Sequence, residues 1–285
     1  MNDPVGLDLY HRTAMRAAAE VIAGYSTSFG LACRLLGPRV RAHVRAVYAL
    51  VRVADEIVDG PAAAAGLEPA ATRHVLDDLE AHTLLAIKEG FSANLVVHAF
   101  ALTARECGIG PDLVRPFFAS MRSDLEVVEH DERSLRQYVY GSAEAVGLMC
   151  LQVFLNAGRP GTDRADPLVS EGARRLGSAF QEINFLRDAG HDRDRLGRDY
   201  LGDAPGTRAA VLDRIDRDLH AARACIPLLP KDCRRAVATA HGLFAALAHR
   251  LREDDGTGRA RVSNWRKAVI AAKVSLAPSP RGVRA

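Results

Sequence analysis

The chain has 285 residues, 48% of them hydrophobic, and its 38 Lys and Arg against 35 Asp and Glu leave a formal charge of +3. That length suits one large domain or two small ones with a sizeable core. The mild, scattered positive charge excludes the concentrated basic patch of a nucleic-acid surface. Five cysteines (Cys33, Cys107, Cys150, Cys225, Cys233) form no CxxC pair and sit in apolar helical patterns, which marks them as reduced core thiols and points to a cytoplasmic protein. The opening residues MNDPVGLDLYHR lack a basic-then-apolar leader, and no apolar run is expected to reach the about 18 residues of a membrane span.

In chain order, helical periodicity predicts helices over 7–23, 39–59, 69–89, 94–107, 111–129, 134–156, 164–190, 209–226, 231–253 and 264–276. No alternating β-branched run bounded by turn pairs appears, so the fold class is all-α. With no repeat at solenoid periods and no dividing linker, a single domain over 1–285 is expected. The loops at 60–68 and 157–163 read as plain connections, whereas the charged stretch GHDRDRLGRDYLGDAP at 190–205 is a candidate lid. The tail WRKAVIAAKVSL reads first as a last amphipathic helix on the bundle and second as a peripheral contact with a membrane surface.

The stretch YALVRVADEIVDG at 48–60 organises the rest. At about 100° per residue, Tyr48, Arg52, Asp55 and Asp59 share one helix face, and apart from Glu56 the other faces are apolar. A helix apolar nearly all round belongs in a core, so its polar stripe must face an internal cavity. Gly60-Pro61 ends the helix, leaving Asp59 at its partially negative end, where a carboxylate requires a compensating cation such as a hard metal ion.

A second stripe follows the same logic. In LGSAFQEINFLRDAGHD, Gln181, Asn184, Asp188 and Asp192 recur at helical steps among Phe180, Ile183, Phe185 and Leu186, with Arg187 beside them. Two such stripes can meet across a cavity as an oxygen-only ligand set. That chemistry favours Mg²⁺, with Mn²⁺ as the alternative, over zinc. Sparse acids opposite Arg52 and Arg187 suit a diphosphate, because Mg²⁺ is commonly held by a few carboxylates together with phosphate oxygens. The competing reading, two solvated or salt-bridged helix faces, weakens when both stripes lie on apolar helices.

With the strings YSTSFGLACRLLGP at 25–38, AVYALVRVADEIVDG at 46–60, YVYGSAEAVGLM at 138–149, FQEINFLRDAGHD at 180–192 and RVSNWRK at 261–267, the chain resembles the squalene/phytoene synthase family of head-to-head trans-prenyltransferases. The resemblance spans nearly the whole chain and is strongest to bacterial phytoene synthases. It implies an isoprenoid-synthase-type helical bundle around a central apolar cavity, with two aspartate-rich motifs holding Mg²⁺ against the diphosphates of two prenyl substrates. Carried over by position, Asp55 and Asp59 resemble the first metal motif and Asp188 and Asp192 the second, with Asn184 a further metal ligand. Arg52, Arg187, Arg261, Gln181 and Asn184 would contact or orient substrate. Ser26, Ser28 and Phe29 resemble the family's Ser-x-Ser-Phe element, and Tyr48 and Tyr140 would lie beside the reacting carbons. From the residues alone, Ser26 and Ser28 are equally a helix cap, and Tyr48 and Tyr140 equally core aromatics. The chain departs from the family pattern at Glu56, at Glu144 in the usually small stretch 142–147, at Glu129-His130 and at His191. His130 and His191 read as surface or lid residues.

The resemblance implies condensation of two geranylgeranyl diphosphates to phytoene, with no NADPH expected. Alternatives are squalene or dehydrosqualene formation from farnesyl diphosphate, a terpene cyclase, and a non-enzymatic binding or assembly factor. A His-Asp phosphohydrolase is disfavoured because His130-Asp131 and His191-Asp192 lack apolar helical contexts. The sequence is silent on oligomeric state and on the side chains that floor the cavity.

Overall fold

A computed structural model describes residues 6–126, 129–159, 163–191, 198–201 and 207–253, with the backbone alone at Ser28 and His191. Among them the chain is helical: α1 Leu7–Tyr25, α2 Ser28–Arg34, α3 Pro38–Val58, α4 Pro61–Ala64, α5 Pro69–Glu89, α6 Leu95–Cys107, α7 Pro111–Glu126, α8 Glu132–Val139, a π-helical turn Tyr140–Glu144, α9 Ala145–Asn156, α10 Pro167–His191, α11 Thr207–Cys225, a 3-10 turn Ile226–Leu228, and α12 Lys231–Glu253. The described extended pairing is one isolated parallel bridge between Glu129 and Asp199. The helix expected over 264–276, and Arg261 with it, lies outside the described residues.

Local chemistry sets the helix starts. Proline occupies the first turn of α3, α4 and α5, where its missing N–H costs nothing. Asn94 caps α6 by accepting from the Val96 and Val97 amides at 3.0 and 3.3 Å, and Asp131 caps α8 through the Ser134 amide at 2.6 Å. Two short helices were not expected. For α2, seven residues are too few to show a periodicity, although Ser26 Oγ marks its start by accepting from the Phe29 amide at 3.1 Å. The four residues of α4 fall inside the stretch read as a plain loop.

The segment Glu132–Asn156 corrects the expectation that no run reaches membrane length: it is one helix long and apolar enough to cross a membrane by length and composition. Core helices pass the same test, and here the helix packs between α3, α7 and α10.

Burial divides the bundle in two. Leu50, Leu76, Phe100, Phe117 and Met149 knit α3, α5, α6, α7 and α9, whereas Ile183, Ile215, Phe244 and Leu251 join α10, α11 and α12. Each such side chain contributes about 1.5–3 kcal/mol through removal from water. The halves meet where the π turn and α9 cross α10. A Cβ at Gly147 would stand 2.6 Å from the Ala173 carbonyl oxygen, and one at Gly177 2.5 Å from that of Ala143, so glycine permits the backbones to touch. All five cysteines are free thiols, four of them buried.

Candidate active site

Between the two halves lies a cavity of about 1080 Å³. One end is polar, and the remainder is walled by side chains such as Val47, Val146, Leu176 and Leu243. Both acidic stripes face it: Tyr48, Arg52, Asp55 and Asp59 from the last turns of α3, and Gln181, Asn184, Arg187 and Asp188 from α10. Ser26 and Phe29 line the same space. Asp192 and Arg261 lie outside the described residues, as does the Ser28 side chain.

Burial and the neighbouring Asp59 charge push the Asp55 carboxyl up to about 8, against the pull of Arg52. Arg52 is salt-bridged to Glu56 and lies over the Tyr25 ring at 4.7 Å, while its Nε is buried without a partner. Glu56 is not a cavity-lining residue. Asp59 caps the end of α3, and the compensating cation at that helix terminus is Arg198, which donates from Nη1 to Asp59 Oδ1 at 2.9 Å and from Nη2 to the Val58 carbonyl at 2.6 Å. On α10, Arg187 Nε donates to both oxygens of Asp188 at 3.0 Å.

Tyr140 is placed elsewhere. It is absent from the cavity wall, and Arg174 lies over its ring at 5.7 Å; Tyr138, two residues earlier, faces the cavity. Glu144 also turns away, into an ion pair with Arg174 at 2.7 Å, so the wall there is Ser142, Ala143, Val146 and Gly147. His130, read as a surface or lid residue, is half-buried and stacked with Tyr200, ring centroids 5.7 Å apart.

Several cavity residues escaped sequence reasoning. Phe180 and Phe244 stack at 3.8 Å and, with Phe29 and Tyr48, form an aromatic wall beside the acids. Asp124, Tyr138, Arg198 and Tyr200 form a polar cluster next to Asp59. The stretch 190–205 drew notice for its charge, but nothing in its pattern singled out Arg198 and Tyr200.

The donor chemistry fits a hard divalent cation. The oxygens of Asp55, Asp59, Asn184 and Asp188 face one space, and Asp55 is disfavoured as an anion by its surroundings, which a bound cation would reverse. Among the described residues no three acid, imidazole or thiol groups converge into a preformed cage. Such sparse ligation suits an ion completed by water and phosphate oxygens.

A family model described as squalene/phytoene synthase matches residues 22–205. A chloroplastic phytoene synthase 3 of Zea mays is 34% identical over 206 residues, covering 70% of this chain and 45% of that protein. The chain therefore spans about half the length of this plant relative. A 15-cis-phytoene synthase of Paracoccus sp. is 29% identical over 278 residues, covering 89% of this chain and 87% of its own. Among solved structures, a dehydrosqualene synthase in complex with a ligand superposes with a TM-score of 0.77 at 24% identity, covering 94% of this chain and 97% of that one. A squalene synthase from Alicyclobacillus acidocaldarius gives 0.74 at 19% identity, covering 88% and 97%. At those identities the structural likeness carries the fold, an all-helical isoprenoid-synthase type.

Proposed function

The chain belongs to the squalene/phytoene synthase family, and from that premise we propose that it is a phytoene synthase, joining two geranylgeranyl diphosphates head to head. The observation that carries this reading is a cavity whose polar end gathers both acidic stripes with Arg52, Arg187 and Arg198, while most of the rest of its wall is apolar. A diphosphate matches the first part and a long hydrocarbon the second.

In the proposed reaction, C1 of one chain bonds to the C2=C3 double bond of the other with loss of one diphosphate and one proton. The resulting cyclopropylcarbinyl diphosphate loses the second diphosphate, rearranges, and sheds a further proton to give phytoene. Mg²⁺, or Mn²⁺ in its place, held by Asp55 and Asp59 and by Asn184, Asp188 and Asp192, would neutralise charge on the departing diphosphates. Arg52 and Arg198 stand at the polar end of the cavity to bind diphosphate oxygens, with Arg187 available once a ligand competes for Asp188. Gln181 orients substrate from the same face of α10. Phe29, Tyr48, Phe180 and Phe244 offer ring faces to an allylic cation and exclude the water that would quench it. No group in this reaction requires a reductant, so NADPH is not part of the proposal.

The same reading makes the protein cytoplasmic, with reduced thiols, in peripheral contact with a membrane that receives the hydrocarbon. Competition between equimolar farnesyl and geranylgeranyl diphosphate tests the substrate assignment. Preferential formation of a C40 hydrocarbon supports it, and preferential C30 formation assigns the chain to the squalene or dehydrosqualene branch.

A further inference from the structure

Beside the first acidic stripe, side chains from α7, α8 and the segment 198–201 close into a polar cluster. Asp124 on α7, its side chain 3% exposed, accepts from the Tyr200 hydroxyl at 2.6 Å on Oδ1 and from the Tyr138 hydroxyl at 2.9 Å on Oδ2. Arg198 Nη1 stands 3.8 Å from the same carboxylate. A carboxylate this deep persists only when its oxygens are matched. Here both are.

The Tyr200 ring is fixed as well. It stacks with Phe185 of α10 at 4.4 Å and an interplanar angle of 17°, and with His130 at 5.7 Å and 12°. Both phenol protons are committed to Asp124, so neither hydroxyl is set to donate to a ligand in the cavity. Two positions before Tyr200, the Arg198 guanidinium links this cluster to the end of α3: Nη1 donates to the Tyr200 hydroxyl at 3.4 Å and to Asp59 Oδ1 at 2.9 Å, and Nη2 donates to the Val58 carbonyl. The segment thus has one end clamped on α7 and the other spanning the mouth of the first stripe.

We propose that Asp124 is a positioning residue: by accepting from Tyr200 and Tyr138 it fixes segment 198–201, so that the Arg198 guanidinium is held against Asp59 at the polar end of the cavity, where an anionic ligand would meet it. The inference rests on the family reading only for the nature of that ligand, a diphosphate.

Calorimetric titration of the full chain with inorganic diphosphate and Mg²⁺ tests this in wild type, Tyr200→Phe, Arg198→Ala and the double variant. Tyr200→Phe deletes one hydroxyl and keeps the ring stack, so diphosphate binding should weaken about tenfold, the size of one hydrogen bond to a charged group. In the Arg198→Ala background the same change should have no further effect on affinity. A purely structural role would instead weaken binding by the same factor in both backgrounds, and that result overturns the proposal. Unchanged binding in Tyr200→Phe overturns it equally. Should Tyr200→Phe fail to fold, Asp124→Asn, which retains the shape and one acceptor, carries the same comparison. A wild type that binds no diphosphate overturns both this inference and the prenyl diphosphate reading. Coupled diphosphate binding without any hydrocarbon product supports the positioning role and sinks the product assignment alone.

Discussion

Replacing Gly177 by Ala probes the contact on which the geometry of the site depends. The added methyl would lie 2.5 Å from the Ala143 carbonyl oxygen and 2.9 Å from its carbon, and both belong to backbone that cannot swing aside. The π turn and α10 must therefore part by roughly the shortfall from van der Waals contact, on the order of 1 Å, at an overpacking cost of about 2 kcal/mol. For a domain of this size 1 kcal/mol moves the melting temperature by about 2–4 °C, so a fall of about 4–8 °C is expected. Gln181, Asn184 and Asp188 follow Gly177 by one, two and three turns and would shift relative to the α3 stripe, so kcat/KM should fall by about tenfold to a hundredfold. Thermal unfolding by circular dichroism and turnover of prenyl diphosphate measure the two effects. Gly190→Ala, where a Cβ would meet nothing within 4 Å among the described residues, serves as the control. A Gly177→Ala protein that melts and turns over like the Gly190→Ala protein would refute the argument.

Asp55→Asn and Asp188→Asn should each lower kcat by about 10²–10³-fold, the usual loss for removing a group aimed at developing charge. Because burial and Asp59 hold the Asp55 carboxyl up to about 8, its ionised form is unfavourable in the folded chain. Asp55→Asn should therefore leave thermal stability equal or higher at pH 7, and a melt at that pH decides. Gly60 has φ 121°, a conformation open to glycine and strained for other residues; Gly60→Ala should cost about 1–3 kcal/mol and displace Asp59, read by urea unfolding together with turnover. His98 is fully buried and neutral, its Nδ1 accepting from the Ser92 amide, and burial depresses its folded pKa below the ordinary 6.5. Below that value the unfolded chain binds the extra proton, so stability falls as pH drops through the window beneath 6.5. His98→Leu should flatten the slope, as melting temperatures between pH 5 and 7 will show.

The long helices were legible because their apolar faces repeat at helical spacing over about twenty residues, and for the same reason the stripes on α3 and α10 could be placed on a common cavity before any coordinates. Tyr140 shows where position-by-position resemblance stops. Its place beside the reacting carbons is implied by the family string at 138–149, but the winding turns π-helical at Tyr140–Glu144, Tyr140 lies off the cavity wall under Arg174, and Tyr138 is the tyrosine that lines the cavity. Asp124 was equally hidden, one of three acids on α7 with Asp112 and Glu126, and its phenol partners lie 14 and 76 residues away. Arg198 sits in an aperiodic charged stretch. Asp59 at the end of its helix calls for a cation, for which its sequence context suggests a metal ion; in the structure the guanidinium of Arg198, 139 residues downstream, occupies that place.

The most direct test of the proposed activity is mass analysis of the hydrocarbon formed when the purified chain meets geranylgeranyl diphosphate and Mg²⁺ without NADPH. Formation of phytoene with two equivalents of diphosphate released is the predicted result. Absence of any C40 hydrocarbon from a folded, diphosphate-binding protein would contradict it.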